Sequence, residues 1–98
     1  MRVFVARAFG RFQRREKITD PMLCTATDNA RRGLNDAQLG GEVIKQRVAR
    51  EGRGKSGGYR ALIALRSGKR AVFLYGFAKN ERANIRPDQL AMLKLYAH

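Results

Sequence analysis

Apolar positions follow a helical period through the first part of this chain and an alternating one after Gly40-Gly41. Val3-Phe4-Val5, β-branched and aromatic, predicts a short opening strand. Phe9 and Phe12 then recur at i, i+3 among Arg7, Arg11, Arg14 and Arg15, the mark of an amphipathic helix. Thr19-Asp20-Pro21 predicts a second helix start, because Asp20 can accept from orphan N–H groups while Pro21 takes the first helical position. Leu23, Ala26, Ala30 and Leu34 continue one helical face. Together these predict a helical hairpin of about 28 residues that breaks near Lys17–Asp20 and ends before Gly40-Gly41.

From Glu42 the period is that of strands. Ile44 and Val48 fall on one face and Lys45 and Arg47 on the other, the alternation of a half-buried strand. Residues 50–58 carry four glycines, three bases and no apolar side chain, which predicts a loop. Tyr59–Leu65 and Ala71–Ala78 are apolar runs joined through Ser67-Gly68, a β-hairpin signal in which residue i faces about 135 − i, so that Arg60 meets Tyr75. A last helix is expected from Pro87-Asp88, with Leu90, Leu93 and Ala97 buried. The expected fold class is α+β in a single domain, 1–98. Its architecture is a twisted, mainly antiparallel sheet of three to four strands, with the N-terminal helical hairpin on one face and a C-terminal helix.

Charge changes the picture most. Lys and Arg number 21 against 8 Asp and Glu, a net charge of +13, and 15 of the bases are arginine, the side chain suited to forked phosphate contacts. Residues 43–86 alone carry +10, residues 1–17 carry +5, and residues 18–42 carry −2. A polyanion is therefore the expected partner. Composition also removes chemistry. The single Cys24 excludes an internal disulfide and any multi-cysteine metal site, and it is expected to be a small buried hydrophobe. The only histidine, His98, is the last residue of the sequence and is expected to fray, which argues against a histidine metal cluster or a Ser-His-Asp triad. No metal or cofactor is expected. No apolar run approaches the ~20 residues of a membrane span, no signal-type stretch opens the chain, and a cytoplasmic location is expected.

Candidate chemistry gathers at one end of the predicted strands. Loop 50–58 offers backbone N–H groups together with Arg50, Arg53 and Lys55, though it does not carry the P-loop spacing. Arg60 interrupts an apolar run, where a charge is costly unless it faces a groove or a partner. Under the predicted register Lys79 lies near Ser56, so the loop, Arg60 and Lys79 converge, flanked by Lys45 and Arg47. The plainer alternatives are a solvated loop, an Arg60 paired with Glu51 or Glu81, and ordinary strand-end solvation of Lys79 and Arg82. Phe9, Phe12, Phe73 and Phe77 are expected in the core, whereas Tyr59 and Tyr75 are the aromatics admissible beside a nucleotide.

The second half of the chain closely resembles the RelE/ParE toxin superfamily, and within it the HigB-like branch. The residues that carry the resemblance are Val43-Ile44-Lys45-Gln46-Arg47-Val48-Ala49, Gly52-Arg53-Gly54-Lys55-Ser56-Gly57-Gly58-Tyr59-Arg60 and Tyr75-Gly76-Phe77-Ala78-Lys79-Asn80-Glu81-Arg82 with Ile85. In length and element order the likeness spans essentially the whole chain. It implies an mRNA endonuclease acting in the A site of the 70S ribosome, neutralised by a cognate antitoxin with a helix-turn-helix domain. It also implies that Arg60 and Lys79 lie in the active cleft with Lys55 and Arg47 nearby. Tyr96 and His98 sit too close to the terminus to take over the acid/base role that other branches give a C-terminal Tyr or His.

The implied chemistry suits the residues that composition leaves. A ribose 2′-OH attacks the adjacent phosphorus in line and leaves a 2′,3′-cyclic phosphate, so the protein has to orient the backbone, stabilise phosphoryl charge and move protons. Arg60 is expected to bind the scissile phosphate, Lys79 to donate a proton or, with its pKa lowered by neighbouring charge, to accept one, and Lys55 to position a flanking phosphate. Lys45, Arg47, Arg53, Tyr59, Asn80 and Arg82 are the expected RNA contacts. Two alternatives stay open from sequence: a ParE-like poison of DNA gyrase, and a nucleic-acid-binding protein without catalysis.

Overall fold

The computed structural model describes residues 2–49, 58–66 and 69–78. Its elements run β1 (Arg2–Val5), α1 (Arg7–Glu16), α2 (Asp20–Arg31), β2 (Ala37–Gly40), β3 (Val43–Val48), β4 (Tyr59–Arg66) and β5 (Arg70–Ala78). Among the described residues the sheet has five strands in the order β1-β5-β4-β3-β2. Strands β2 to β5 form an antiparallel meander, while β1 pairs parallel to β5 at the far edge. The class is α+β as expected, with one strand more than the upper expectation.

The helical hairpin forms where its signals lie. The cap of α2 is Thr19, one residue before the expected Asp20, which becomes the first helical residue with Pro21 second. The Thr19 hydroxyl accepts from the Met22 N–H at 3.4 Å, and the Thr19 N–H points back to Met22 Sδ at 3.4 Å. The end of α2 is a correction. The helix stops at Arg31, and Gly33 takes a left-handed φ of 78° that turns the chain away. The Leu34 N–H donates to the Asn29 carbonyl at 2.9 Å and the Gly33 N–H to the Ala30 carbonyl at 3.1 Å, so both orphan carbonyls are satisfied by the cap. Leu34, expected on the buried helical face, is therefore outside the helix and exposed. The freed chain becomes β2, which joins β3 through Gly41 and Glu42, both at positive φ as a tight primed hairpin turn requires.

Both helices cover one face of the sheet, α1 against β5 and α2 against β3. The core between them holds Phe9, Phe12, Leu23, Ala26 and Ala30 from the helices with Ile44, Val48, Tyr59, Ala61, Ile63 and Phe73 from the strands. Phe9 stacks at a tilt on Phe73 at 5.1 Å, and Phe12 meets Tyr59 edge-on at 5.5 Å. The expected core phenylalanines are all buried. Val43, Leu62, Ala64 and Leu74 form a second buried cluster on the opposite face. Cys24 is exposed rather than buried, because the buried α2 positions are Leu23, Ala26, Thr27 and Ala30.

The β4/β5 pairing also departs from the expected register. Ala64 faces Val72 and Ile63 faces Phe73, but Leu62 faces Tyr75, so Leu74 is an extra residue in β5. This bulge shifts the remaining pairs, and Arg60 faces Phe77 rather than Tyr75. The expected loop over 50–57, the turn at 67–68 and the last helix lie outside the described residues.

Candidate nucleic-acid interface

Strand alternation decides which side chains share a face. On β3, Ile44, Gln46 and Val48 are buried, with Ile44 and Val48 in the helix-side core, while Lys45 and Arg47 alternate to the other side and stay half-buried. On β4, Tyr59, Ala61 and Ile63 belong to the helix-side core, so Arg60 stands with Leu62 and Ala64 on the opposite face. Arg47 and Arg60 are direct cross-strand partners, and Lys45 lies two residues from Arg47 along β3 on the same face. Residues so opposed bring their Cβ atoms to about 5 Å, where like charges destabilise a sheet unless an anion sits between them.

Among the described residues one anion meets these cations. Asp36, immediately before β2, contacts Arg60 Nε through Oδ2, and the two side chains are 34% and 15% exposed. Arg60 Nη1 also donates to the Tyr59 carbonyl at 3.2 Å. The plainer alternative from sequence pairs Arg60 with Glu51 or Glu81, which lie outside the described residues; within them its partner is Asp36. Sequence periodicity hides Asp36, because Leu34 continues the helical face; only Gly33, read as a helix stop, places Asp36 in a turn beside the strands. Among the described residues Arg47 Nε is buried without a hydrogen-bond partner, and a Cβ at Gly58 would come within 3.3 Å of it. Gly58 thus lets the end of the glycine-rich segment pass close over Arg47. An open groove of about 710 Å³ reaches this point from α2, lined among others by Met22, Ala26, Leu34, Asp36, Gln46 and Arg47.

Of the sequence-derived candidates, the structure brings together Lys45, Arg47 and Arg60. Tyr59 is corrected: it is 2% exposed, its ring packed on Phe12 in the helix-side core, because odd-numbered β4 positions face the helices. Tyr75 is half-buried on the opposite face with its ring 6.2 Å from Phe77. Arg53, Lys55, Lys79, Asn80 and Arg82 lie outside the described residues. Among the described residues no group of three or more His, Cys, Asp or Glu side chains could hold a metal ion, and no helix is long and apolar enough to cross a membrane.

A small α+β domain with a cluster of cations on the sheet face opposite its helical hairpin is the class that this fold and surface define. The profile of the family described as "RelE toxin of RelE / RelB toxin-antitoxin system" matches residues 1–98, and the chain belongs to this toxin family. Membership carries with it an antitoxin partner. No curated protein matches the chain.

Proposed function

We propose that the protein is a ribosome-dependent mRNA endonuclease of the HigB-like kind, acting in the ribosomal A site and held in check by a helix-turn-helix antitoxin. The observation that carries this reading is the cross-strand pair Arg47 and Arg60, extended by Lys45, on one sheet face. Three cations on one face, two along β3 and one across from Arg47 on β4, offer charge to neighbouring phosphates of a single strand, and a forked guanidinium matches a phosphoryl group passing through its five-coordinate state. In this scheme the 2′-OH oxygen forms a bond to phosphorus as the bond to the 5′-oxygen breaks. The 2′ proton leaves to a base and the 5′-oxygen receives one, giving a 2′,3′-cyclic phosphate and a 5′-hydroxyl. Arg60 holds the scissile phosphate, Arg47 and Lys45 hold its neighbours, and Lys79 and Lys55 are assigned the proton-transfer and positioning roles. Arg53, Asn80 and Arg82 extend the RNA track.

The test is a purified translation system in which mRNA 5′ ends are mapped with and without ribosomes. Cuts within translated codons that need ribosomes, reduced by roughly 100-fold or more in Arg60→Ala, are the expected result. Intact mRNA in the presence of translating ribosomes overturns the reading.

A further inference from the structure

We infer that Asp36 is a positioning residue for Arg60, an inference that rests on the reading of Arg60 as the phosphate-holding group. Carboxylates are scarce in this chain, and most in the described residues have local work. Glu16 pairs with its neighbour Arg15, Asp28 pairs with Arg31 one turn along α2, and Asp20 accepts from Gln13. The Asp36–Arg60 pair alone among the described ion pairs joins separate elements, and it is the most sheltered of the three.

The carboxylate rides on a clamped segment. The Asp36 N–H donates to the Lys45 carbonyl at 2.9 Å, and Gln46 Nε2 donates to the Leu34 carbonyl at 2.9 Å. The cap at Gly33 fixes the same segment from its other end. Arg60 is then gripped twice, at Nε by Asp36 and at Nη1 by the Tyr59 carbonyl, while Nη2 takes part in neither contact. Two contacts from different directions set the plane of the guanidinium before substrate arrives. An arginine so held loses little further rotamer freedom when it meets a phosphate. Asp36 also offsets the repulsion between Arg60 and the opposed Arg47, which would otherwise drive the two heads apart.

The experiment is single-turnover cleavage of mRNA on purified ribosomes over a range of toxin concentrations, with folding of each variant checked by circular dichroism. Asp36→Ala is expected to lower the maximal rate roughly 10- to 100-fold, with the half-saturating concentration little changed. Asp36→Asn, which keeps an oxygen in place, is expected to restore most of the rate. Asp36→Glu, with the same charge one methylene further out, is expected to fall between them. In an Arg60→Ala background Asp36→Ala is expected to add nothing, since its effect passes through Arg60. A folded Asp36→Ala that cleaves at the wild-type rate or faster overturns the inference, as does an Asp36→Ala loss that persists in full without Arg60. If Asp36→Ala does not fold, a wild-type rate in Asp36→Glu overturns it instead. Failure of the underlying reading looks different: there the wild-type protein leaves mRNA intact, and the inference falls with it.

Discussion

At the scale of single residues, one glycine position, Gly76, sits against the core with no room for a side chain. A Cβ on Gly76 would lie 2.5 Å from Phe12 Cδ2 and 2.8 Å from Phe9 Cε2, inside the contact distance of any real side chain. Both rings are buried and locked against Phe73 and Tyr59, so neither can yield without opening the helix-side core. Gly76→Ala is therefore expected to destabilise the protein by about 1–3 kcal/mol, read as a lower urea midpoint at unchanged slope. A midpoint within error of wild type would mean that α1 slides freely on β5. Sequence carried the core at this scale, since the phenylalanines at helical and strand spacing are where their periods put them. It could not carry Gly76 or the burial of Tyr59, because both depend on which face of the sheet the helices cover.

At the scale of elements, local chemistry decided what was legible. The Thr19-Asp20-Pro21 helix start and the alternation of β3 are short-range signals, and each element lies where its signal does, although the capping side chain is Thr19 rather than Asp20. Strand β2 was hidden because Leu34 continues the spacing of Leu23, Ala26 and Ala30, and only the backbone turn at Gly33 ends that series. The β4/β5 register was hidden for another reason: a bulge adds a residue that apolar side chains on both faces do not betray. The end of α1 shows the same capping logic with an unfavourable residue. Lys17 sits at φ 57°, its N–H donating to Arg14 and the next N–H, of Ile18, to Gln13. A side chain there meets the steric cost of the left-handed region, and Lys17 itself is exposed. Lys17→Gly is expected to stabilise the protein by about 0.5–1 kcal/mol, visible as a raised melting temperature. A lowered one would show that the lysine side chain makes a contact worth more than the backbone strain.

At the scale of the whole molecule, the charge is asymmetric in a way that the fold turns into a surface. The segment holding α2 and β2 is the acidic part of the chain, and it contributes Asp36 to the edge of a cluster of cations. The strands that carry Lys45, Arg47 and Arg60 belong to the region with net +10. Charge sums along the sequence located that region. The opposition of Arg47 to Arg60 needed the strand register, and the pairing with Asp36 needed the turn after α2. Net charge alone would bind any polyanion, so the useful measurement is how much of the binding each cation carries. For a single-stranded RNA, each phosphate neutralised contributes about −0.7 to the slope of log affinity against log salt concentration. Binding of an RNA oligomer to the free protein is therefore expected to weaken steeply with salt, and Arg47→Ala is expected to flatten that slope by about 0.7. Affinity should fall similarly for all sequences, because a phosphate contact carries no base information. An unchanged slope in Arg47→Ala would place the RNA elsewhere on the surface, and the cross-strand arginine pair would then lose its claim to be the floor of the binding site.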